Sequence, residues 1–123
     1  MRFLLLVVFG SLGTLARYAL EGAIQHRSSA FFPAGTLTVN LAGCFLLGGV
    51  ASFTFHHLTI PPEWRMAITV GFLGAFTTFS SFAYETVRMA EDGAWSRAAL
   101  YLGLSVAGGL LAVALGMRLA ELL

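Results

Sequence analysis

Apolar residues run through almost the whole chain and are interrupted by only three short polar stretches. A helix needs roughly 20 apolar residues to cross the hydrocarbon of a bilayer. Four stretches are long enough, at about residues 3–23, 33–55, 64–89 and 96–119. A proline begins the second stretch, two prolines precede the third and an Asp-Gly pair precedes the fourth, and such residues start or stop helices. The pattern therefore predicts an all-α membrane protein in which residues 1–123 form a single four-span transmembrane domain.

Composition supports this prediction. Hydrophobic residues make up 58% of the chain and charged residues 11%, whereas about 25% of residues are charged in a typical soluble domain. The mean hydropathy is +0.83. Net charge is only +1 and the basic residues are scattered, so the chain offers no basic tract for nucleic acid. We expect a multi-pass integral membrane protein with partners in the bilayer and none among nucleic acids.

Arginine residues near the ends of membrane spans bias which loops stay in the cytoplasm. With an even number of spans both termini lie on one side, and the arginines on that side are Arg2, Arg65 and Arg118. The arginines on the opposite side are Arg27, Arg88 and Arg97, with Arg17 near the end of the first span. Because the two sides are nearly balanced, we expect copies to insert in both orientations and to pair as an antiparallel dimer. The alternative is a protein whose single orientation is fixed by other signals.

Asn40 is a polar residue close to the middle of the second predicted span. An amide at that depth costs free energy unless it has hydrogen-bond partners. Two interpretations remain open. The amide either forms a hydrogen bond that holds two spans together, or donates its N–H groups to an anion.

The third predicted span contains the segment GFLGAFTTFSSF, residues 71–82. Its hydroxyl side chains compete with the backbone for hydrogen bonds, and its glycines weaken a helix. We therefore predict a break in the third span. Such a break is tolerated in a membrane only where protein or a water-filled cavity satisfies the freed backbone groups, and freed carbonyls in broken helices can hold a cation.

Aromatic and hydroxyl side chains recur at helical spacing in the last two spans. Phe79 and Phe82 are three residues apart and share a helix face, as do Tyr101 and Ser105 one turn apart. Phenylalanines in membrane helices usually pack or face lipid. The alternative is that their ring edges, which carry partial positive charge, face an anion.

Three motifs follow one another along the chain: GSLGTLARY, GTLTVNLAGCFLLG and GFLGAFTTFSSF. In these motifs, their order and their spacing, the sequence resembles the CrcB or Fluc family of fluoride channels over essentially its full length. The resemblance implies an antiparallel, dual-topology homodimer in a bacterial-type inner membrane. It implies that the dimer exports fluoride passively through two pores and holds a structural sodium ion at its centre.

The resemblance also assigns residues to these roles. Gly74 and Thr77 match the residues whose backbone carbonyls bind the sodium ion. The residues that match the fluoride pathway are Asn40, Phe79, Phe82, Ser81, Tyr101 and Ser105. The implied partners are fluoride, a second copy of the chain and the lipid bilayer, and no enzymatic activity is implied.

Two other functions are weighed against this one. A small multidrug-type exporter has a similar length, but requires a titratable carboxylate midway along the first span, where this sequence reads VVFGSLGTLA. The carboxylates Glu21 and Glu85 are instead predicted near span ends. An accessory protein that assembles with a larger membrane complex through its glycine-rich faces is the second alternative. An intramembrane enzyme is least favoured, since no candidate base is predicted near the buried hydroxyls.

Overall fold

The computed structural model describes residues 1–56 and 60–123, so part of the predicted second linker, residues 57–59, lies outside the described residues. Its regular structure is helical, and four helical stretches are long and apolar enough to cross a membrane. These stretches are α1 (Arg2–His26), α2 (Ala34–His56), a composite third stretch (Pro62–Glu91) and a fourth helix (Trp95–Ala120). The prediction of four long apolar helices is thus confirmed, and the ends of these helices lie within a few residues of the predicted bounds.

The third stretch has several parts. It begins as α3 (Pro62–Met66), continues as a π-helical segment (Ala67–Leu73), and returns to α-helical geometry in α4 (Gly74–Phe76) and α5 (Phe79–Glu91). Between α4 and α5, Thr77 and Thr78 have extended backbone angles, with φ −89° and ψ 158° at Thr77 and φ −147° and ψ 111° at Thr78. The fourth span is the continuous helix α6 (Trp95–Ala120).

Glycines allow the helices to approach closely. A Cβ atom added at Gly48 would overlap the Val113 carbonyl of α6, and one added at Gly116 would overlap the Phe45 carbonyl of α2. Helix α1 meets the π-helical segment in the same way, because a Cβ at Gly13 would overlap the carbonyl of Phe72. Small residues at such crossings bring helix backbones together inside a bilayer.

A small core of buried side chains joins α5 to the beginning of α6. It consists of Phe82, Met89, Ala98 and Tyr101, and Phe32 from the loop before α2 packs against it. Tyr101 is completely buried. Because this core holds two residues that the resemblance assigns to the fluoride pathway, it fixes the position of part of the candidate site.

Candidate functional site

The side chain of Asn40 pairs with the backbone of Thr78. Asn40 Nδ2 donates to the Thr78 carbonyl oxygen at 2.9 Å, and the Thr78 N–H donates to Asn40 Oδ1 at 2.7 Å. One amide side chain on α2 therefore satisfies both backbone polar groups of an extended residue in the third span. This contact is the interhelical hydrogen bond of the first interpretation of Asn40. It leaves one N–H of the amide group outside the pair.

Helix α5 begins with a side-chain cap. Thr78 precedes the first helical residue, and its Oγ1 accepts a hydrogen bond from the Ser81 N–H at 3.2 Å. Thr78 Oγ1 also donates to Ser81 Oγ at 3.0 Å. A threonine in this position satisfies one of the backbone N–H groups that the first turn of a helix leaves without a carbonyl partner.

These side-chain contacts redirect two backbone donors. In a continuous α-helix, the Gly74 carbonyl would accept from the Thr78 N–H and the Thr77 carbonyl from the Ser81 N–H. The Thr78 N–H donates to Asn40 instead, and the Ser81 N–H donates to Thr78 Oγ1. Gly74 and Thr77 are the two residues whose carbonyls the resemblance assigns to sodium.

A cavity of about 300 Å³ lies between α2, the third span and α6. It brings together six of the eight residues that the resemblance assigns to sodium and fluoride, namely Asn40, Gly74, Thr77, Phe79, Phe82 and Ser105. Its other lining residues are Gly43, Cys44, Leu47, Thr69, Leu73 and Val106. In the described part of the chain, none of the lining residues is charged. The cavity is therefore a neutral chamber with scattered hydrogen-bond donors.

Aromatic rings extend from this cavity into the buried core. The rings of Phe79 and Phe82 lie 5.6 Å apart between centroids, and those of Phe82 and Tyr101 lie 5.3 Å apart. Both pairs meet at steep angles, 61° and 64°, so that ring edges point towards ring faces. Phe79 is 79% exposed in the single chain, whereas Phe82 is 7% exposed.

Tyr101 connects this aromatic row to a network of carboxylates. Its hydroxyl donates to Glu85 Oε2 at 2.6 Å, and Thr36 Oγ1 donates to Glu85 Oε1 at 2.7 Å. Thr36 Oγ1 also lies 3.3 Å from Glu21 Oε1. Glu21, Thr36 and Glu85 line a second, larger cavity of about 540 Å³. Tyr101 thus contacts Phe82 of the neutral chamber and Glu85 of a charged one.

Sequence comparison places the chain in a family. The profile described as CrcB-like protein, Camphor Resistance (CrcB), matches residues 4–117. The chain belongs to the CrcB family. Among curated CrcB relatives, a fluoride-specific ion channel FluC of Acidobacterium capsulatum is 47% identical over 95% of this chain and 94% of its own length. A protein of the same name from Solibacter usitatus is 46% identical over 98% of this chain and 99% of its own length. Another, from Geobacter metallireducens, is 45% identical over 94% of this chain and 94% of its own length.

In this CrcB chain, Ser105 lines the neutral chamber and Ser81 does not. Ser81 lies outside the residues that line the neutral chamber and is bonded to Thr78. Ser105 lines the chamber, and its buried Oγ has no hydrogen-bond partner among residues 1–56 and 60–123. A buried hydroxyl that lacks a protein partner is able to bond to water or to an ion in the chamber.

Sequence reasoning missed the role of Glu85 in holding this CrcB chain together. A carboxylate predicted near a span end is in fact bonded to Tyr101 and Thr36 from two other helices. Helical spacing gives a partial signal, because Glu85 follows Phe82 by three residues and therefore shares its face. The partner Thr36 lies 49 residues away in the sequence, and no local pattern predicts that contact.

We predict that Asn40→Ala destabilises this CrcB protein by leaving the Thr78 N–H and carbonyl without their partner. An unsatisfied buried polar group costs about 1–3 kcal/mol, so the free energy of unfolding in detergent is expected to fall by a similar amount. Amide hydrogen exchange at Thr78 is expected to become faster. The matched control is Ser11→Ala, which removes an exposed hydrogen bond of 2.8 Å to the Val7 carbonyl within α1. Equal stability of the two variants would contradict the prediction.

Proposed function

We propose that this protein is a fluoride-selective channel that exports fluoride passively and so lowers its cytoplasmic concentration. The observation that carries the proposal is the neutral chamber, in which Asn40, Ser105, Phe79 and Phe82 converge from three spans. Relatives at 45–47% identity that are named fluoride-specific ion channels support it. The protein accordingly acts in transport and not as an enzyme.

The chemistry of the chamber suits a small anion. Moving an isolated ion into a low-dielectric interior costs tens of kcal/mol by Born estimates, while one hydrogen bond to a charged group contributes only about 1.5–3 kcal/mol. Several donors in series are therefore needed. The second N–H of the Asn40 amide, the Ser105 hydroxyl and the ring edges of Phe79 and Phe82 supply weak, neutral contacts. Contacts of this strength replace the water around the anion without binding the anion so tightly that conduction stops.

The remaining pathway residues extend this series. Tyr101 follows Phe82 in the row of aromatic rings, and its hydroxyl donates to the carboxylate of Glu85. The Ser81 hydroxyl belongs to the cap of α5, one turn before Glu85. We propose that an anion passes along the Phe79, Phe82 and Tyr101 side chains, with Ser81 near that path.

We propose that the working unit is an antiparallel, dual-topology homodimer. A ring edge contributes to anion binding only where lipid is kept away, and a single chain leaves Phe79 79% exposed. A second copy would cover this ring and close the open side of the chamber. The balanced arginines at the span ends favour copies of opposite orientation.

We further propose that the third span acts as a broken helix whose carbonyls hold a structural sodium ion at the centre of the dimer. The Gly74 and Thr77 carbonyls fit this role, because their α-helical donors are redirected to side chains. Two such carbonyls from each copy would give four oxygen ligands. Carbonyls of unwound membrane helices are known to coordinate sodium.

The two alternatives lack such support. The structure places no carboxylate along the middle of α1, where a small multidrug-type exporter requires one; Glu21 lies in the last part of α1. An accessory protein would use its glycine-rich faces for another chain, yet α2 and α6 already use Gly48 and Gly116 to pack on each other. Both alternatives are distinguished from a channel by the first experiment below.

Purified protein reconstituted into liposomes loaded with fluoride or chloride is expected to release fluoride much faster than chloride. The physical reason is that a small anion approaches the hydrogen-bond donors of the chamber more closely than a larger one, and the interaction strengthens as the distance falls. Ion-selective electrodes measure both rates. Equal release of the two anions, or release of neither, would exclude a fluoride channel.

Phe79→Ile and Phe82→Ile are each expected to abolish fluoride release while the protein stays dimeric. Isoleucine keeps apolar bulk but removes the ring edge that would face the anion. Liposome release and the mass of the purified protein in detergent are the two measurements. The matched control is Phe3→Ile, because Phe3 is 85% exposed at the beginning of α1 and is expected to keep normal release. Normal fluoride release by both Phe79→Ile and Phe82→Ile would show that these rings serve only in packing.

Exhaustive replacement of sodium by N-methylglucamine is expected to lower both stability and fluoride release, and readdition of sodium is expected to restore them. A ligand at 100 times its dissociation constant stabilises the folded state by about 2.7 kcal/mol, so the shift in thermal unfolding in detergent should be easy to measure. Potassium serves as the control cation. Identical unfolding curves in sodium and N-methylglucamine would rule out a structural sodium ion.

A further inference from the structure

The side chain of Gln25 ties together the end of α1, the following loop and the beginning of α2. Its Nε2 donates to the carbonyls of Ser29 and Phe32, both at 3.1 Å. Its Oε1 accepts from the Gly35 N–H at 3.1 Å. A glutamine amide has two N–H donors and one carbonyl, so here the whole group is used on backbone atoms.

The same loop carries a ring that touches the candidate pathway. Phe32 packs on Tyr101 with ring centroids 5.6 Å apart and an angle of 78° between the rings. Tyr101 also contacts Phe82, and its hydroxyl donates to Glu85. Because Tyr101 is completely buried, its ring moves only if one of these neighbours moves. Phe32 is the neighbour that belongs to a loop.

The loop has a second attachment, which is weaker. Arg97 of α6 donates to the Phe31 carbonyl at 3.1 Å, and its guanidinium lies 5.5 Å from the Phe31 ring. That hydrogen bond is exposed, where competition from water reduces its contribution. The Gln25 bonds to Phe32 and Gly35 are partly buried. Within the loop, the Phe32 N–H also donates to the Ser29 carbonyl at 3.2 Å, and the Phe32 carbonyl accepts from the Ala34 N–H at 2.9 Å. Gln25 is the side chain that ties this turn both to α1 and to the beginning of α2.

We propose that Gln25 is a positioning residue for anion conduction. By tying the turn that carries Phe32 to α1, it keeps the Phe32 ring against Tyr101 and so helps to hold the Tyr101 side chain in the position from which its hydroxyl donates to Glu85. Gln25 lies along the wall of the larger cavity and acts on the pathway through Phe32. This inference rests on the proposed function, in which Tyr101 belongs to the fluoride pathway.

The experiment combines fluorine NMR with liposome release. The chain contains three tyrosines, Tyr18, Tyr84 and Tyr101, so incorporation of meta-fluorotyrosine gives three signals, and the signal that Tyr101→Phe removes is that of Tyr101. Gln25→Met keeps the length of the side chain and removes all three hydrogen bonds. We expect this variant to shift the Tyr101 signal and leave the other two unchanged. Fluoride release should fall about fivefold, the factor that corresponds to the loss of one hydrogen bond of typical strength.

The matched control is Ser28→Ala. It removes the 2.8 Å hydrogen bond from Ser28 Oγ, in the same loop, to the Ile24 carbonyl at the end of α1, and this bond does not involve Phe32. This control is expected to change neither the Tyr101 signal nor release. Gln25→Glu provides a second variant, since a carboxylate keeps an acceptor for the Gly35 N–H but places oxygen against the Ser29 and Phe32 carbonyls. Like Gln25→Met, Gln25→Glu should shift the Tyr101 signal and lower fluoride release.

Two results would overturn the inference. If the Tyr101 signal does not move in Gln25→Met or Gln25→Glu, Gln25 does not position Tyr101, whatever happens to release. If the signal moves and release stays normal, Gln25 has no role in conduction. Release by Tyr101→Phe separates that second result from failure of the proposed pathway, because a pathway containing the Tyr101 hydroxyl requires this variant to conduct less.

Discussion

A backbone amide and carbonyl at membrane depth must each find a partner, and at Thr78 both find the side chain of Asn40. The other features of the site depend on this pair. It allows two residues of the third span to be extended, and it draws the Thr78 N–H away from the Gly74 carbonyl. It also places Thr78 where its hydroxyl can begin α5. A single amide on α2 thus satisfies the backbone at the residue where the second half of the third span begins.

The pair is also compatible with the transport role that we propose for Asn40. Asn40 was open to two interpretations because an amide has donors for an interhelical bond and for an anion. The Thr78 pair uses the carbonyl oxygen and one N–H, and Asn40 still lines the neutral chamber. The position of the remaining N–H is therefore fixed by the bonds that the same group makes to protein. A donor held in this way needs little reorganisation when an ion arrives.

The sequence predicted those features that local chemistry encodes. Four apolar runs predicted four spans because a bilayer requires that length. Motifs in order predicted the family, which the comparisons confirm. Six of eight residues assigned by that resemblance line one chamber, although their roles there remain predictions. The segment from Thr77 to Ser81 suggested competition between hydroxyls and backbone, and the structure has Thr77 and Thr78 extended.

Other features depend on contacts between distant residues and had no local signal. The partner of Thr78 is 38 residues away, and the Thr36 that bonds Glu85 is 49 residues away. The π-helical geometry of Ala67–Leu73 was also not predicted, since its sequence, AITVGFL, is that of an ordinary apolar span. Packing of Gly13 on the Phe72 carbonyl contributes to holding that segment against α1.

The π-helical segment also bears on how the chain tolerates changes in length. A π-helix closes its hydrogen bonds one residue later than an α-helix, so it holds spare residues within the same span. Each residue of an α-helix turns the chain by about 100°. A deletion inside residues 67–73 can be absorbed if that segment tightens to α-helical geometry, which keeps α5 facing as before. The same deletion between Phe79 and Glu85 would turn Glu85 away from Tyr101, so single-residue deletions in natural variants should concentrate in the first segment.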